Sequence, residues 1–296
     1  MKKQVIFTGC ATALVTPFKQ GEVDYDALDN LVEDQIARGV DALVAVGTTG
    51  EPSTLTWEEQ ISVIRHVVKV ANHRVPVIAG TGSNCTKEAI EAAQMAKDCG
   101  AEAQLCVTPY YNKTSQAGLI AHYNAIADDG SLPVIVYNVP SRTGLNISPA
   151  TLEVICQHKN VVAVKEANPD VAQAIEKLRR CGDDVAFYCG NDDLTLPLMA
   201  CGFKGVISVL SNVMPETAVE LTKLAAEGKN AEAARLQMKL QPFIDALFCE
   251  TSPIPVKAAL DKLGMCSDEV RLPLIPMQPD TRAKMFDTMR TLGLLR

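Results

Sequence analysis

Short runs of apolar, mostly β-branched residues recur along the chain at intervals of roughly 25–35 residues, which is the spacing of repeated strand–helix units. Between them lie segments with apolar residues at spacings of three and four, which predict amphipathic helices. The predicted strands cover residues 11–16, 42–47, 75–80, 104–108, 134–138, 161–165, 185–189 and 206–209. The predicted helices between them cover residues 27–38, 57–72, 87–99, 117–127, 149–156 and 171–180.

This alternation of strand and helix predicts an α/β fold with a parallel sheet, because the strands read as buried on both faces. Eight such units favour a closed (β/α)8 TIM barrel over an open doubly wound sheet. We assign the barrel to residues 1–228 and a C-terminal helical extension to residues 229–296, with helices at 230–248 and near 280–292.

Composition narrows the class of protein. The 296 residues carry a formal net charge of −7 and contain no long basic run, so nucleic acid and anionic membrane surfaces are poor partners. A small anionic substrate stays possible, since one or two cations can dominate a local site. Ten scattered cysteines without a CxxC pair favour free thiols in a reducing cytoplasm, and no stretch is long enough for a membrane span.

The ends of the predicted strands are where a TIM barrel carries its active site. Lys165 ends the sixth apolar run, so burial there would favour its neutral amine, a nucleophile that forms an imine with a ketone. From this residue alone, a lysine that reaches solvent or pairs with a carboxylate is the favoured interpretation.

Hydroxyl groups at other strand ends strengthen the nucleophile hypothesis. Tyr137 and Tyr111 could move the protons that imine formation requires, with Thr48 linking them. Each tyrosine could also simply pack at the barrel rim. Arg142 follows the fifth strand and could bind a substrate carboxylate, or could be an ordinary surface arginine.

The sequence shows no set of residues at the strand ends that would indicate a metal or a cofactor. None of the four histidines falls at a predicted strand end, so a zinc-dependent aldolase or a Ser–His–Asp hydrolase lacks its residues. We therefore predict no metal and no cofactor. The run 191–193 (NDD) could ligate a metal, but we expect it to supply a helix N-cap.

Three motifs resemble those of the dihydrodipicolinate synthase (4-hydroxy-tetrahydrodipicolinate synthase) family. They are residues 47–51 (GTTGE), 137–144 (YNVPSRTG) and 162–166 (VAVKE), and the resemblance extends over essentially the whole chain. It implies condensation of pyruvate with L-aspartate 4-semialdehyde in diaminopimelate and lysine biosynthesis, by a homotetramer without cofactors. Related lyases that act on N-acetylneuraminate or keto-deoxy sugar acids usually lack an arginine at the place of Arg142.

The resemblance also implies roles for single residues. Lys165 would form the Schiff base, Tyr137 would donate the proton, and Thr48 and Tyr111 would complete the relay, with Tyr111 reaching in from a neighbouring subunit. Pyruvate and semialdehyde would be bound by the substrate-contacting residues Thr49, Arg142, Gly190 and Ile207. Inhibition by L-lysine would use Ser53, Trp57, Asn84, Glu88 and Tyr110, with Gln60 and Pro52 departing from the regulated bacterial pattern.

Two other functions stay open at this point. One is a pyruvate lyase acting on a sugar acid. The other is a barrel that binds a keto acid without turning it over.

Overall fold

The computed structural model describes residues 3–295, and its central feature is a closed barrel of eight parallel strands. These strands are β1 (Gly9–Ala13), β4 (Ala42–Ala45), β5 (Val77–Gly80), β6 (Ala103–Val107), β7 (Val134–Asn138), β8 (Val161–Glu166), β9 (Ala186–Cys189) and β10 (Gly205–Ser208). Around the barrel the strand order is β1, β10, β9, β8, β7, β6, β5 and β4. The prediction of a TIM barrel is confirmed, and every predicted run overlaps one of these strands.

A short antiparallel hairpin, β2 (Phe18–Lys19) and β3 (Glu22–Val23), follows the first barrel strand. The sequence analysis missed it, because strands of two residues leave no periodic pattern.

The helices form the outer layer and the C-terminal extension. They are α1 (Tyr25–Ala37), α2 (Trp57–Ala71), α3 (Thr86–Asp98), α4 (Gln116–Asp129), α5 (Pro140–Thr143), α6 (Pro149–Cys156), α7 (Val171–Cys181), α8 (Thr195–Ala200), α9 (Pro215–Ala226), α10 (Asn230–Leu247), α11 (Ile254–Lys262) and α12 (Pro279–Thr291). Side-chain caps fix several helix starts; Thr56, for example, forms a capping box with Glu59 at the start of α2.

A β-bulge sets which side chains of β8 face the barrel interior. Val134 of β7 pairs with Val161, but the next residue, Ile135, pairs with Ala163, so β8 has one extra residue here. Because side chains alternate along a strand, this single residue exchanges the inward and outward faces of the rest of the strand. As a result Lys165 lies on the inner face and Glu166 on the outer face.

Aromatic packing closes the lower end of the barrel, where the strands begin. The Tyr188 ring stacks on Phe7 with ring centroids 4.1 Å apart, and its hydroxyl donates a hydrogen bond to the Phe7 carbonyl at 2.8 Å. This burial raises the pKa of Tyr188 to about 12. The interior is therefore packed below and accessible from the end where the strands stop.

The C-terminal helices pack against the barrel's last helices. Leu240, Phe243 and Ile244 of α10 share one hydrophobic cluster with Leu221 of α9 and Met285 of α12. The division at residue 228 stays a prediction, since a core shared in this way does not mark a separate unit.

All ten cysteines are unpaired, and six of them are buried. Over residues 3–295, no helix has the length and apolar character that a membrane crossing needs.

Candidate active site

Lys165 and Tyr137 lie side by side on the inner face of the barrel, at the ends of β8 and β7. The two residues are direct partners in the strand register, and the Lys165 Nζ lies 4.4 Å from the centre of the Tyr137 ring. Each side chain is 6% exposed, so both are nearly enclosed by protein. The strands thus hold an amine and a phenol together, as the nucleophile hypothesis requires.

Gly190 closes the other side of Lys165. A Cβ at this glycine would lie 3.1 Å from the Lys165 Cε, a very tight contact, and 2.7 Å from the Ala167 Cβ, closer than real Cβ atoms come. A side chain at position 190 would therefore crowd the lysine and displace its neighbour, which accounts for a glycine at the end of β9.

The partners of three buried lysines separate Lys165 from the other two. The Lys177 Nζ lies 2.7 Å from a Glu166 carboxylate oxygen, and the Lys257 Nζ lies 2.6 Å from one of Glu51. Among residues 3–295, no carboxylate lies within ion-pair distance of the Lys165 amine. Of these three buried lysines, Lys165 is therefore the one whose amine is not held in an ion pair.

The outer face of β8 carries a saturated polar network. Glu166 accepts hydrogen bonds from Lys177, from the Asn138 side chain at 2.7 Å and from the Asn168 backbone at 2.8 Å. Its carbonyl also accepts from the Gly190 backbone N–H at 2.7 Å. These bonds tie β7, β8 and β9 together directly behind the Lys165–Tyr137 pair.

A cleft of about 470 Å³ opens above this pair. Thr48, Tyr137 and Arg142 line it, together with side chains from the C-terminal segment such as Ser252 and Leu274. Thr49 and Ile207 are buried beside it, with Ile207 in the same interior cluster as Tyr137. The structure therefore gathers most of the predicted catalytic and substrate-binding residues at one end of the barrel.

Arg142 extends from α5 and is partly committed to the C-terminal segment. Its Nη2 donates a hydrogen bond to the Ser252 carbonyl at 3.0 Å. A guanidinium has five N–H donors, so the remaining ones can still bind a carboxylate.

Tyr111 is the predicted relay residue that does not reach the cleft of its own chain. It is 91% exposed, and its backbone takes a left-handed conformation with φ +66°. Its side chain therefore lies at the surface of the chain and away from the cleft. Its place in the proton relay stays a prediction.

The turn after β4 carries Thr48 and Thr49 and is anchored by Glu51. Glu51 adopts a left-handed backbone with φ +56°, and its carboxylate pairs with Lys257 in a fully buried contact. The Thr16 hydroxyl also donates to the Gly50 carbonyl at 2.8 Å. Several interactions therefore hold this short turn in one conformation.

Asp192 is buried and fixes the end of β10, which corrects the expected N-cap at residues 191–193. One of its oxygens accepts hydrogen bonds from the Val209 and Leu210 backbone N–H groups at 2.9 and 3.0 Å. Burial raises the pKa of Asp192, while the hydrogen bonds and Lys165 oppose this rise. Neither the turn at residues 192–194 nor α8 receives a side-chain cap.

Metal ligands are not assembled in the part of the chain that the structure covers, where no three His, Cys, Asp or Glu side chains form a cluster suited to a metal ion. His122 lies on α4, where burial lowers its pKa to about 4, and its Nδ1 lies 2.9 Å from the Thr86 hydroxyl. His122 therefore links helices α4 and α3 through its contact with Thr86.

Comparison with known proteins agrees with this geometry. The profile of the dihydrodipicolinate synthetase family matches residues 6–292. The chain belongs to this family. The 4-hydroxy-tetrahydrodipicolinate synthase of Geobacter metallireducens is 51% identical over 290 residues, which cover 98% of this chain and 100% of that protein.

Solved structures of the dihydrodipicolinate synthase family superpose closely on this chain. The enzyme from Acinetobacter baumannii, complexed with pyruvate, has a TM-score of 0.96 at 42% identity and covers 98% of this chain and 100% of its own. The enzyme from Cyanidioschyzon merolae, with lysine bound, has a TM-score of 0.95 at 39% identity and covers 99% and 100%.

The residues expected to form a lysine site in this dihydrodipicolinate synthase family member lie at the outer part of the cleft. Ser53, Trp57, Glu88 and Tyr110 line it, while Asn84 lies alongside and donates to the Tyr110 carbonyl at 3.2 Å. Pro52 and Gln60 line the same region, where the Gln60 amide donates to the Pro52 carbonyl at 3.0 Å. Their use in regulation stays a prediction.

Several residues that contact the loops of the cleft were not predicted from the sequence. Lys257, Arg271 and Ser252 belong to the predicted helical extension, yet each contacts a loop of the cleft. The sequence does contain one indication of these contacts: Lys257 lies within an otherwise apolar helical run at residues 254–260. A lysine buried in such a run is almost always paired with a carboxylate.

Proposed function

We propose that this chain catalyses the condensation of pyruvate with L-aspartate 4-semialdehyde to 4-hydroxy-tetrahydrodipicolinate, through a Schiff base on Lys165. The observation that carries the proposal is the buried Lys165 amine without a carboxylate partner, in contact with Tyr137 below the cleft. Membership in the dihydrodipicolinate synthetase family supplies the substrates.

The first half of the reaction activates pyruvate. The Lys165 amine attacks the ketone carbon, and loss of water from the carbinolamine gives an imine. The imine withdraws electrons, so a methyl proton can leave to form an enamine. Tyr137 supplies and removes protons in these steps, because its ring already lies against the amine.

The second half forms the carbon–carbon bond. The enamine carbon attacks the aldehyde carbon of the semialdehyde. The amino group of the semialdehyde then attacks the imine carbon, which closes the ring and releases the Lys165 amine. Arg142 binds the carboxylate of the semialdehyde from the wall of the cleft. Thr49, with main-chain groups near Gly190 and Ile207, holds the pyruvate carboxylate.

The proton relay continues from Tyr137 through Thr48 to Tyr111 of a neighbouring subunit. The outward direction of Tyr111 supports this arrangement, since the residue is 91% exposed in one chain. We accordingly propose a homotetramer as the active form. The expected cytoplasmic location belongs to the same proposal and is supported by ten unpaired cysteines.

Inhibition by L-lysine belongs to the proposal as a second binding event at the outer cleft. A relative with lysine bound and the position of Glu88 beside Tyr110 support it. Trp57 and Gln60 line the same region and set the strength of inhibition.

The decisive test is borohydride reduction with pyruvate, followed by intact-mass measurement and peptide mapping. We expect one reduced pyruvate adduct per chain, on Lys165, and turnover when the semialdehyde is added. Folded protein without an adduct contradicts the mechanism. An adduct with release of pyruvate from a sugar acid, and no turnover of the semialdehyde, would instead establish the sugar-acid lyase. An adduct without turnover of either substrate would leave a keto-acid-binding barrel.

A further inference from the structure

The C-terminal segment reaches across the chain to the turn that carries Thr48 and Thr49. Lys257 of α11 is fully buried, and its Nζ lies 2.6 Å from the Glu51 carboxylate and 2.7 Å from the Glu269 carbonyl. Glu51 directly follows the 3₁₀ turn Thr48–Gly50. A single ammonium therefore links the end of this turn to the C-terminal segment.

A second contact from the C-terminal segment holds the residues that follow this turn. The Arg271 guanidinium donates to the Thr54 carbonyl at 2.9 Å and makes two hydrogen bonds to the Glu59 carboxylate, at 2.7 and 2.6 Å. It also contacts the Phe18 ring, whose centre lies 4.4 Å from the Arg271 Cζ and 4.0 Å from the Lys257 Nζ. The hairpin, the turn and the C-terminal segment thus meet around one aromatic ring.

The Thr16 hydroxyl and the turn's own backbone hydrogen bonds hold Gly50, whereas the Glu51 carboxylate depends on the C-terminal segment. Glu51 sits in a left-handed backbone conformation that non-glycine residues rarely adopt, so surrounding contacts must compensate for its strain. Its other carboxylate oxygen receives a long hydrogen bond, 3.4 Å, from the Arg271 backbone. Lys257 supplies the short, charged contact.

We propose that Lys257 is a positioning residue for pyruvate, acting through Glu51 on the turn that presents Thr48 and Thr49. Lys257 does not line the cleft and touches no substrate. It fixes the turn, and the turn orients the hydroxyl and backbone groups that receive the pyruvate carboxylate. This inference rests on the proposed function.

The experiment measures the rate of the borohydride-trapped adduct on Lys165 against pyruvate concentration in purified full-length protein. Lys257→Met removes the ammonium and keeps the apolar stem. We expect the half-saturating pyruvate concentration to rise about tenfold or more, with a smaller change in the maximum rate, because the turn binds pyruvate and does not perform the chemistry.

Glu51→Gln is the second variant, since an amide oxygen still accepts from Lys257 and preserves more of the fold. It should raise the half-saturating concentration in the same direction, by less. Combining both substitutions should add little to the larger single effect, because both act on the same Lys257–Glu51 contact.

Arg282→Gln is the matched control. Arg282 pairs with Asp261 and Asp268 within the same C-terminal segment and does not touch the turn. It should leave the pyruvate dependence unchanged.

The outcomes separate the inference from the function on which it rests. No adduct in the wild-type protein would contradict the proposed function itself. A normal wild-type adduct, with unchanged half-saturation in the folded fraction of Lys257→Met and in Glu51→Gln, would overturn the positioning role and leave Lys257 a purely structural residue.

Discussion

The charged residues on the two faces of strand β8 have different hydrogen-bond partners. On the outer face, Glu166 receives hydrogen bonds from Lys177, Asn138 and Asn168. On the inner face, one residue earlier, Lys165 contacts the Tyr137 ring. Adjacent positions on one strand thus hold a carboxylate with several hydrogen-bond donors and an amine that lies against an aromatic ring.

The difference between Glu166 and Lys165 shows how the two faces of one strand can divide the support of the backbone from the placement of an amine. Hydrogen bonds on the outer face fix the strand ends, so the inner face can carry a side chain without bonds of its own. We therefore expect substitutions on the inner face to reduce adduct formation and substitutions on the outer face to reduce stability.

The largest effect is expected for Lys165→Ala. It should abolish the borohydride-trapped adduct and reduce turnover below detection, because within residues 3–295 the Lys165 amine is the one that lies at the Tyr137 ring. The circular dichroism spectrum should stay that of the wild type, since no ion pair is lost. Mass spectrometry of the reduced protein measures the adduct. An undiminished adduct would remove Lys165 from the mechanism.

Tyr137→Phe should slow adduct formation by about 10²–10⁴-fold, the range for losing a positioned acid–base group. Rapid-quench trapping with pyruvate measures the rate. Tyr188→Phe is the matched control, because it lies in the same interior but donates to the Phe7 carbonyl. It should cost about 0.5–1.5 kcal/mol of stability and leave the rate unchanged. Equal rates for both variants would contradict the role of Tyr137.

Lys177→Met tests the outer face. It leaves Glu166 buried without its cation, so the free energy of unfolding should fall by about 3–5 kcal/mol. Urea unfolding followed by circular dichroism measures this loss. The folded fraction should still form the adduct on Lys165. Loss of the adduct at unchanged stability would mean that the two faces do not divide structure from chemistry.

The smallest effect is expected for Arg142→Ala, because one of its donors is already committed to Ser252. The KM for the semialdehyde should rise about 10–100-fold, as for a lost charged hydrogen bond. Adduct formation with pyruvate should change little. Steady-state kinetics with each substrate varied in turn measures both, and equal damage to both steps would contradict the assigned role.

Most of the barrel was predictable from the chain alone, because buried parallel strands leave continuous apolar runs. The run predicted at 134–138 coincides with β7, and the run at 161–165 stops one residue short of the end of β8. The predicted site could be found for a similar reason: strand ends converge at one end of a barrel, so Lys165, Tyr137 and Thr48 had to approach each other.

The features that the sequence did not reveal depend on contacts between distant segments. Nothing local to Glu51 marks a partner 206 positions later, and nothing near Arg142 marks Ser252. The inward direction of Lys165 also depends on the bulge in β8, a one-residue shift that periodicity does not resolve. These are properties of the assembled chain.

The ion pair between Glu51 and Lys257 also joins two parts of the chain that are synthesised at different times. At about 5–20 residues per second, the ribosome adds Lys257 about 10–40 s after Glu51. Late in that interval the nascent chain has the residues of all eight barrel strands but not the cation that pairs with Glu51. The turn at residues 48–50 can therefore gain this contact only near the end of translation, and a chain cut short after the barrel would lack it.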